Sequence, residues 1–128
     1  MVRHGLKMEY LMDQDKDCIF CKIANPPAGG EEERKLEYSD DEIVAFPSIA
    51  PKAKVHLLIV PKRHITSIDE LTDEDALIVG KMIIVAKKLA QEKGISGGYK
   101  LIFNAGKYQE IKHLHLHLLG GSDLGSIA

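Results

Sequence analysis

Near its C-terminus the chain reads His113-Leu114-His115-Leu116-His117-Leu118-Leu119, a strict alternation of imidazole and isobutyl side chains. A period of two is that of a β-strand, whose successive side chains point to opposite faces. Side chains two apart on a strand stand roughly 6.5–7 Å from each other, from a rise of about 3.3 Å per residue. His113, His115 and His117 are therefore expected to line one groove, while Leu114, Leu116 and Leu118 bury against another layer. The chain holds 6 histidines in all, so three in register on one strand point away from a chance polar face. Two chemistries suit them. Alternating imidazoles can chelate a transition metal. Alternatively, one is a nucleophile whose neighbours orient it and handle protons.

The rest of the chain supplies a scaffold for such a strand. Cys18 to Ala24 is apolar enough for a short helix, with Asp17 placed to cap it and Asn25-Pro26-Pro27 ending it. Leu36–Tyr38 and Ile43–Phe46 read as strands joined by Ser39-Asp40-Asp41-Glu42, a hairpin signal. His56-Leu57-Leu58-Ile59-Val60 is nearly continuous in apolar residues, as expected of a central strand covered on both faces. Lys62-Arg63-His64 then makes a basic turn. Thr72-Asp73-Glu74-Asp75 joins a hydroxyl cap to acids that suit the positive end of a helix dipole, and the helix is predicted to run to Glu92 and end at Lys93-Gly94. Its apolar residues, from Ala76 to Ala90, form a stripe too wide for one buried face, which implies a second contact surface, a second subunit. Tyr99–Asn104 reads as a further strand. Helices and antiparallel strands in this order predict an α+β fold.

Length and charge narrow the alternatives. The 128 residues suffice for one domain, expected over 17–121 between a polar tail at 1–16 and another at 122–128. A net charge of −2 argues against bulk electrostatic binding to nucleic acid. No apolar run approaches the roughly 20 residues of a membrane span, and the N-terminus lacks a signal-peptide core. A single Cys18-x-x-Cys21 pair is no disulfide framework, so a reducing cytoplasm is the expected compartment.

His113-x-His115-x-His117-Leu118-Leu119 resembles the signature of the histidine triad (HIT) family. Pro51-x-Ala53-x-x-His56-x-Leu58-x-x-Pro61-Lys62-x-His64 resembles the family's second block, and Gly98-Tyr99-x-Leu101 followed by Asn104-x-Gly106 its third. Cys18-Ile19-Phe20-Cys21-Lys22-Ile23 resembles its N-terminal helix. The blocks cover Asp17 to Gly121 in the family's order, and Leu118-Leu119-Gly120-Gly121 resembles the Hint branch, which hydrolyses nucleoside phosphoramidates.

The resemblance implies a five-stranded antiparallel sheet with two helices, shared across a homodimer. It implies cleavage of the P–N bond of a purine nucleoside phosphoramidate, releasing AMP or GMP through a nucleotidyl-histidine. His115 would be the nucleophile, His117 and His56 would bind non-bridging phosphate oxygens, and His113 would orient the site. Asn104, Gln109 and Glu110 would lie near the phosphate and leaving group, Phe46 and Ile49 would sandwich the purine, and Ser48 stands where an aspartate commonly holds the ribose. No catalytic metal is implied. Some bacterial members bind structural zinc through residues matching Cys18, Cys21, His64 and His113. A pair of buried helix cysteines is the plainer fate of such a motif.

Three departures bear on substrate range. The Asn104–His113 segment is about two residues shorter than the Hint pattern, with Tyr108 in a glycine's place, expected to crowd the leaving-group side. Ser48 replaces the aspartate. The tail lacks the branch's tryptophan. Dinucleoside polyphosphate hydrolysis, a nucleotide-binding role with little activity, and a metalloenzyme using the triad as ligands are the competing readings.

Overall fold

A computed structural model describes residues 18–25 and 35–124; the expected tail at 1–16, Asp17, the loop at 26–34 and positions 125–128 lie outside the described residues. Among these residues two α-helices, α1 (Ile19–Ala24) and α2 (Ala76–Glu92), flank five strands: β1 (Tyr38–Ser39), β2 (Ile43–Pro47), β3 (Val55–Pro61), β4 (Tyr99–Phe103) and β5 (Leu116–Gly120). The strands form one antiparallel sheet in the order β1-β2-β3-β5-β4. The expected α+β sheet with two helices is thus the observed one.

Each face of the sheet buries its own cluster. Ile43, Ala45, Leu57, Ile59, Leu116 and Leu118 pack on Met82, Val85, Ala86, Leu89 and Ala90 of α2. The alternate residues Val44, Phe46, Leu58 and Val60 pack on Phe20, Cys21, Ile23 and Ala24 of α1. This explains the unbroken apolar run in β3, which is covered on both sides.

Helix α2 is entered through a 3-10 turn, Asp73–Asp75, closed by a capping box: Thr72 and Asp75 exchange backbone and side-chain bonds. Arg63 ties the same carboxylate to the turn after β3 at 2.5 Å. At its far end Gly94 takes φ 73°, the left-handed cap expected of Lys93-Gly94. The wide apolar stripe divides as its width required. Met82 and Val85 are buried, whereas Leu77, Ile83 and Ile84 stay exposed, Leu77 by 82%.

Three elements differ from the sequence reading. The first strand of the hairpin is Tyr38–Ser39 rather than Leu36–Tyr38, because the Asp40 carboxylate accepts from the backbone of both Glu42 and Ile43 and sets the turn. The cap of α1 among the described residues is Cys18, whose Sγ accepts from the Cys21 amide at 3.4 Å. Finally, β5 begins at Leu116, not at His113. Ile59 pairs with Leu116, so the ladder would next reach Pro61. Proline has no N–H to give, and the Pro61 carbonyl is already taken by the His113 ring. The Leu114 amide turns instead to the Ile65 carbonyl at 2.6 Å. The alternation survives outside the ladder: Leu114 is buried with Leu116 and Leu118 on the α2 side.

Candidate active site and metal centre

On the sheet face opposite α2, strand parity brings Phe46, His56, Leu58, Ile102 and His117 to one side, since Phe46 pairs with Leu58 and Leu58 and Ile102 both pair with His117. The approach to β5 adds His113 and His115, and α1 covers the group from above, with Phe20 edge-on to His115 at 5.1 Å. Four histidines thus come from β3 and from the β5 strand with its approach.

Their protons are set by fixed partners. His115 Nδ1 lies 2.7 Å from the His113 carbonyl, which can only accept, so Nδ1 carries the hydrogen and Nε2 keeps its lone pair. The Lys52 amide donates to His56 Nδ1 at 3.0 Å, leaving the hydrogen of neutral His56 on Nε2. That nitrogen is 2.9 Å from His117 Nδ1, which therefore accepts. The hydrogen of neutral His117 then sits on Nε2, 3.4 Å from the Asn104 amide. Turning that amide so that its oxygen faces His117 avoids opposing two donors, an assignment that follows from the network.

Burial holds these rings neutral. Desolvation is the main cause that lowers His56, aided by Lys52 and His115. It likewise lowers His117 to about 4, with His115, His56 and Lys52 adding to the effect. His115 is lowered chiefly by burial, against the hydrogen bond to the His113 carbonyl, which raises it. A neutral, tautomer-fixed imidazole is the form in which a ring nitrogen attacks an electrophile.

Two cavities meet at these histidines. One, of about 410 Å³, is lined by Phe46, Ser48, Ile49, Tyr108, Glu110 and His115 among others. The second, of about 430 Å³, extends over β4 past Lys100. His56, His117, Asn104 and Lys52 line both. The first has a buried aromatic wall in Phe46 and an exposed apolar flap in Ile49, a form suited to a flat ring.

Behind His115 lies a separate cluster. Cys18, Cys21, His64 and His113 bring four ligand atoms within 4.8 Å of one another and can hold a metal ion. His113 Nδ1 is 3.3 Å from Cys18 Sγ and 3.4 Å from Cys21 Sγ, and His64 Nδ1 is 3.1 Å from Cys21 Sγ. Sulfur and nitrogen ligands of one tetrahedral zinc stand roughly 3.5 Å apart, from Zn–S of about 2.3 Å and Zn–N of about 2.0–2.1 Å. The spacing fits. His113 Nε2 donates to the Pro61 carbonyl at 2.8 Å, leaving Nδ1 as the coordinating atom. The Cys18 thiol is pulled down to about 3, first by the Cys21 side chain and then, against burial, by His113, which favours the thiolate that metals bind.

The profile of the family described as "Scavenger mRNA decapping enzyme C-term binding" matches residues 17–126. The chain is similar to a HIT family hydrolase from Legionella pneumophila Philadelphia 1, at 45% identity and a TM-score of 0.78, over 85% of this chain and 96% of that one. It is also similar to a histidine triad protein from Clostridium difficile, at 39% identity and a TM-score of 0.81, over 90% and 99% of the two chains. The chain belongs to the histidine triad family. Among curated histidine triad relatives it is 39% identical over 113 residues to the purine nucleoside phosphoramidase of Escherichia coli (strain K12), spanning 86% of this chain and 92% of that protein.

Within this histidine triad fold the residues singled out from the sequence separate into three groups. His115, His117, His56, Asn104, Glu110, Phe46, Ser48 and Ile49 line the first cavity. His113 does not; it is fully buried, with its ring in the metal cluster and its carbonyl on His115. Gln109 is buried as a staple of the loop, donating from Nε2 to the Thr66 and Ile111 carbonyls at 2.7 and 2.9 Å. Tyr108 lines the first cavity and not the second. Of the C-terminal tail, Ser122 accepts from the Lys54 amide at 2.8 Å, and Asp123 and Leu124 line the second cavity. Lys52 and Lys100 escaped notice in the sequence. A lysine among ordinary surface lysines carries no local signal, and their place depends on strand register.

Proposed function

We propose that this protein cleaves the P–N bond of purine nucleoside phosphoramidates through a nucleotidyl intermediate on His115. The observation that carries this is the 2.7 Å bond from His115 Nδ1 to the His113 carbonyl, which leaves the Nε2 lone pair at a cavity shared with His56 and His117. The relative named as a purine nucleoside phosphoramidase supports the choice of substrate class.

The purine lies between Phe46 and Ile49, the ribose near Ser48, and the phosphate where the two cavities meet, beside His56, His117, Asn104 and Lys52. A bound phosphate anion favours uptake of one proton by the His56–His117 pair, which is neutral without it. In the first step a bond forms from His115 Nε2 to phosphorus as the P–N bond breaks, and the leaving amine departs with the proton of that pair. In the second step water attacks phosphorus, its proton returns to the pair, and the bond to His115 breaks with release of the nucleoside monophosphate. The added proton takes one of the accepting nitrogens and breaks the bond between the two rings, after which hydrogens of His56 and His117, with the Asn104 amide, stabilise charge on the phosphate oxygens. Glu110 lines the first cavity and not the second, and Gln109 supports the loop that carries it.

The ion for the Cys18–Cys21–His64–His113 cluster is zinc, on the mixed thiolate and imidazole donors and their tetrahedral spacing. Four protein ligands leave no open position, so its role is structural. Two reduced-state thiols as ligands agree with a cytoplasmic home. The exposed apolar residues of α2, together with the open edge of β4, support a homodimer. Among the described residues no helix is long and apolar enough to cross a membrane.

The test is release of AMP from adenosine phosphoramidate by the wild-type protein and by His115→Ala, each with and without chelator. Turnover by wild type alone, unchanged on brief chelation, is expected. Turnover that His115→Ala retains, or that chelation stops while the protein stays folded, rejects the mechanism.

A further inference from the structure

The second cavity contains a feature that cleavage of a simple phosphoramidate does not use. Lys100 lies on the active-site face of β4, where its Nζ is buried and has no hydrogen-bond partner among the described residues. A desolvated ammonium without a partner is costly, and a fold retains one where something else completes it. Strand register gives its position. Lys100 pairs with Leu119, two residues beyond the Ile102–His117 pair, so it stands one repeat of roughly 6.5–7 Å along the strand from the phosphate-side histidine. Lys52 lines the same cavity, and among the described residues the exposed Asp123 contributes the one carboxylate to its lining. Two ammonium groups against one carboxylate leave the cavity positive.

The cavity also lies on the correct side of the chemistry. The nucleoside pocket of Phe46 and Ile49 and the Lys100 cavity share only the residues that hold the phosphate and its approach. A substrate with its base in the first must project its leaving group into the second.

Resting on the function proposed above, we propose that the Lys100 cavity is a leaving-group subsite selective for amines that carry an anionic group, a carboxylate or a phosphate, two or three bonds from the scissile nitrogen. Lys100 is its specificity-determining residue, and Lys52 adds positive charge. An anion there gives the buried ammonium its partner, and an uncharged leaving group does not.

Two adenosine phosphoramidates that differ in one group test this: one made from β-alanine, the other from propylamine. The wild-type protein is expected to favour the β-alanine compound in kcat/KM by about tenfold or more, in a manner that added salt weakens. Lys100→Met is expected to bring the ratio of the two close to one, and Lys100→Arg to keep it well above one. Because the readout is a ratio within each variant, a general loss of activity does not alter it. A wild-type ratio near one, or a ratio that Lys100→Met leaves unchanged, overturns the proposal. So does a Lys100→Met variant whose ratio is intact and whose self-association is weakened, which would assign the ammonium to a contact between copies. Should the wild type cleave neither compound, the proposed reaction itself has failed. The subsite is then read by calorimetry as the same tenfold difference in Kd, and equal Kd values overturn it.

Discussion

The backbone carbonyl of His113 accepts from Nδ1 of His115 at 2.7 Å, while the His113 ring lies within the Cys18–Cys21–His64 cluster. One residue thus joins the candidate metal cluster to the ring for which a nucleophilic role is proposed. Its ring offers Nδ1 to the Cys18–Cys21–His64 cluster and gives Nε2 to the Pro61 carbonyl, and its carbonyl in turn fixes the tautomer of His115. The geometry divides the alternating imidazoles: the ring of the first lies in a cluster that can hold a metal, and the next two line the first cavity.

Metal content follows from that division. The purified protein is expected to hold about one zinc per chain, measured by mass spectrometry of the metal, and His64→Ala to hold much less. Prolonged chelation of the wild type is expected to lower its melting temperature by roughly 5–10 °C, the effect of losing on the order of 2 kcal/mol in a domain of this size. A chain that melts unchanged after its metal is stripped contradicts a structural role.

The phosphate-side histidines carry a prediction in pH. Burial, with the neighbouring rings and Lys52, holds His117 at about 4 against an ordinary 6.5. The folded chain therefore binds fewer protons at this ring than the unfolded chain between those values. The stability that the neutral ring carries is complete above 6.5 and is lost as the pH falls from 6.5 through about 4. Imidazole nitrogen shifts, followed by NMR without substrate, are expected to show His117 neutral at pH 5. A midpoint near 6.5 contradicts the account.

Much of this was legible from residues alone, and the physical reasons are specific. The period-two histidine run placed Leu114, Leu116 and Leu118 in the core because side-chain alternation persists in any extended segment. It did not show where the ladder ends. That depends on Pro61, a residue more than fifty positions away, meeting the run across β3. The capping box at Thr72 and the left-handed Gly94 were readable because both are set within a few residues. Gln109 was not: the resemblance put it near the leaving group and phosphate, whereas its Nε2 donates to the Thr66 and Ile111 carbonyls and its Oε1 is buried. Lys100 was invisible for the opposite reason. Nothing in its neighbourhood departs from a solvated strand edge, and the burial of its Nζ exists only after the strands have taken their order.

The capping box gives a stability test independent of the site. Thr72→Ala removes the hydroxyl that caps the first turn before α2 and is expected to cost about 1 kcal/mol, measured as a lower urea midpoint at unchanged slope. Loss well above about 2 kcal/mol would show that the turn supports more than the helix end.

The central claim is a covalent bond between His115 and the nucleotide. Rapid acid-free quenching of the protein during turnover of adenosine phosphoramidate, followed by intact mass and peptide analysis, reads it directly. A mass gain of one adenylyl group on the peptide containing His115, absent from His115→Ala and lost on standing in water, is the predicted result. Sustained turnover with no such adduct, or an adduct on His117 or His56 in its place, contradicts it.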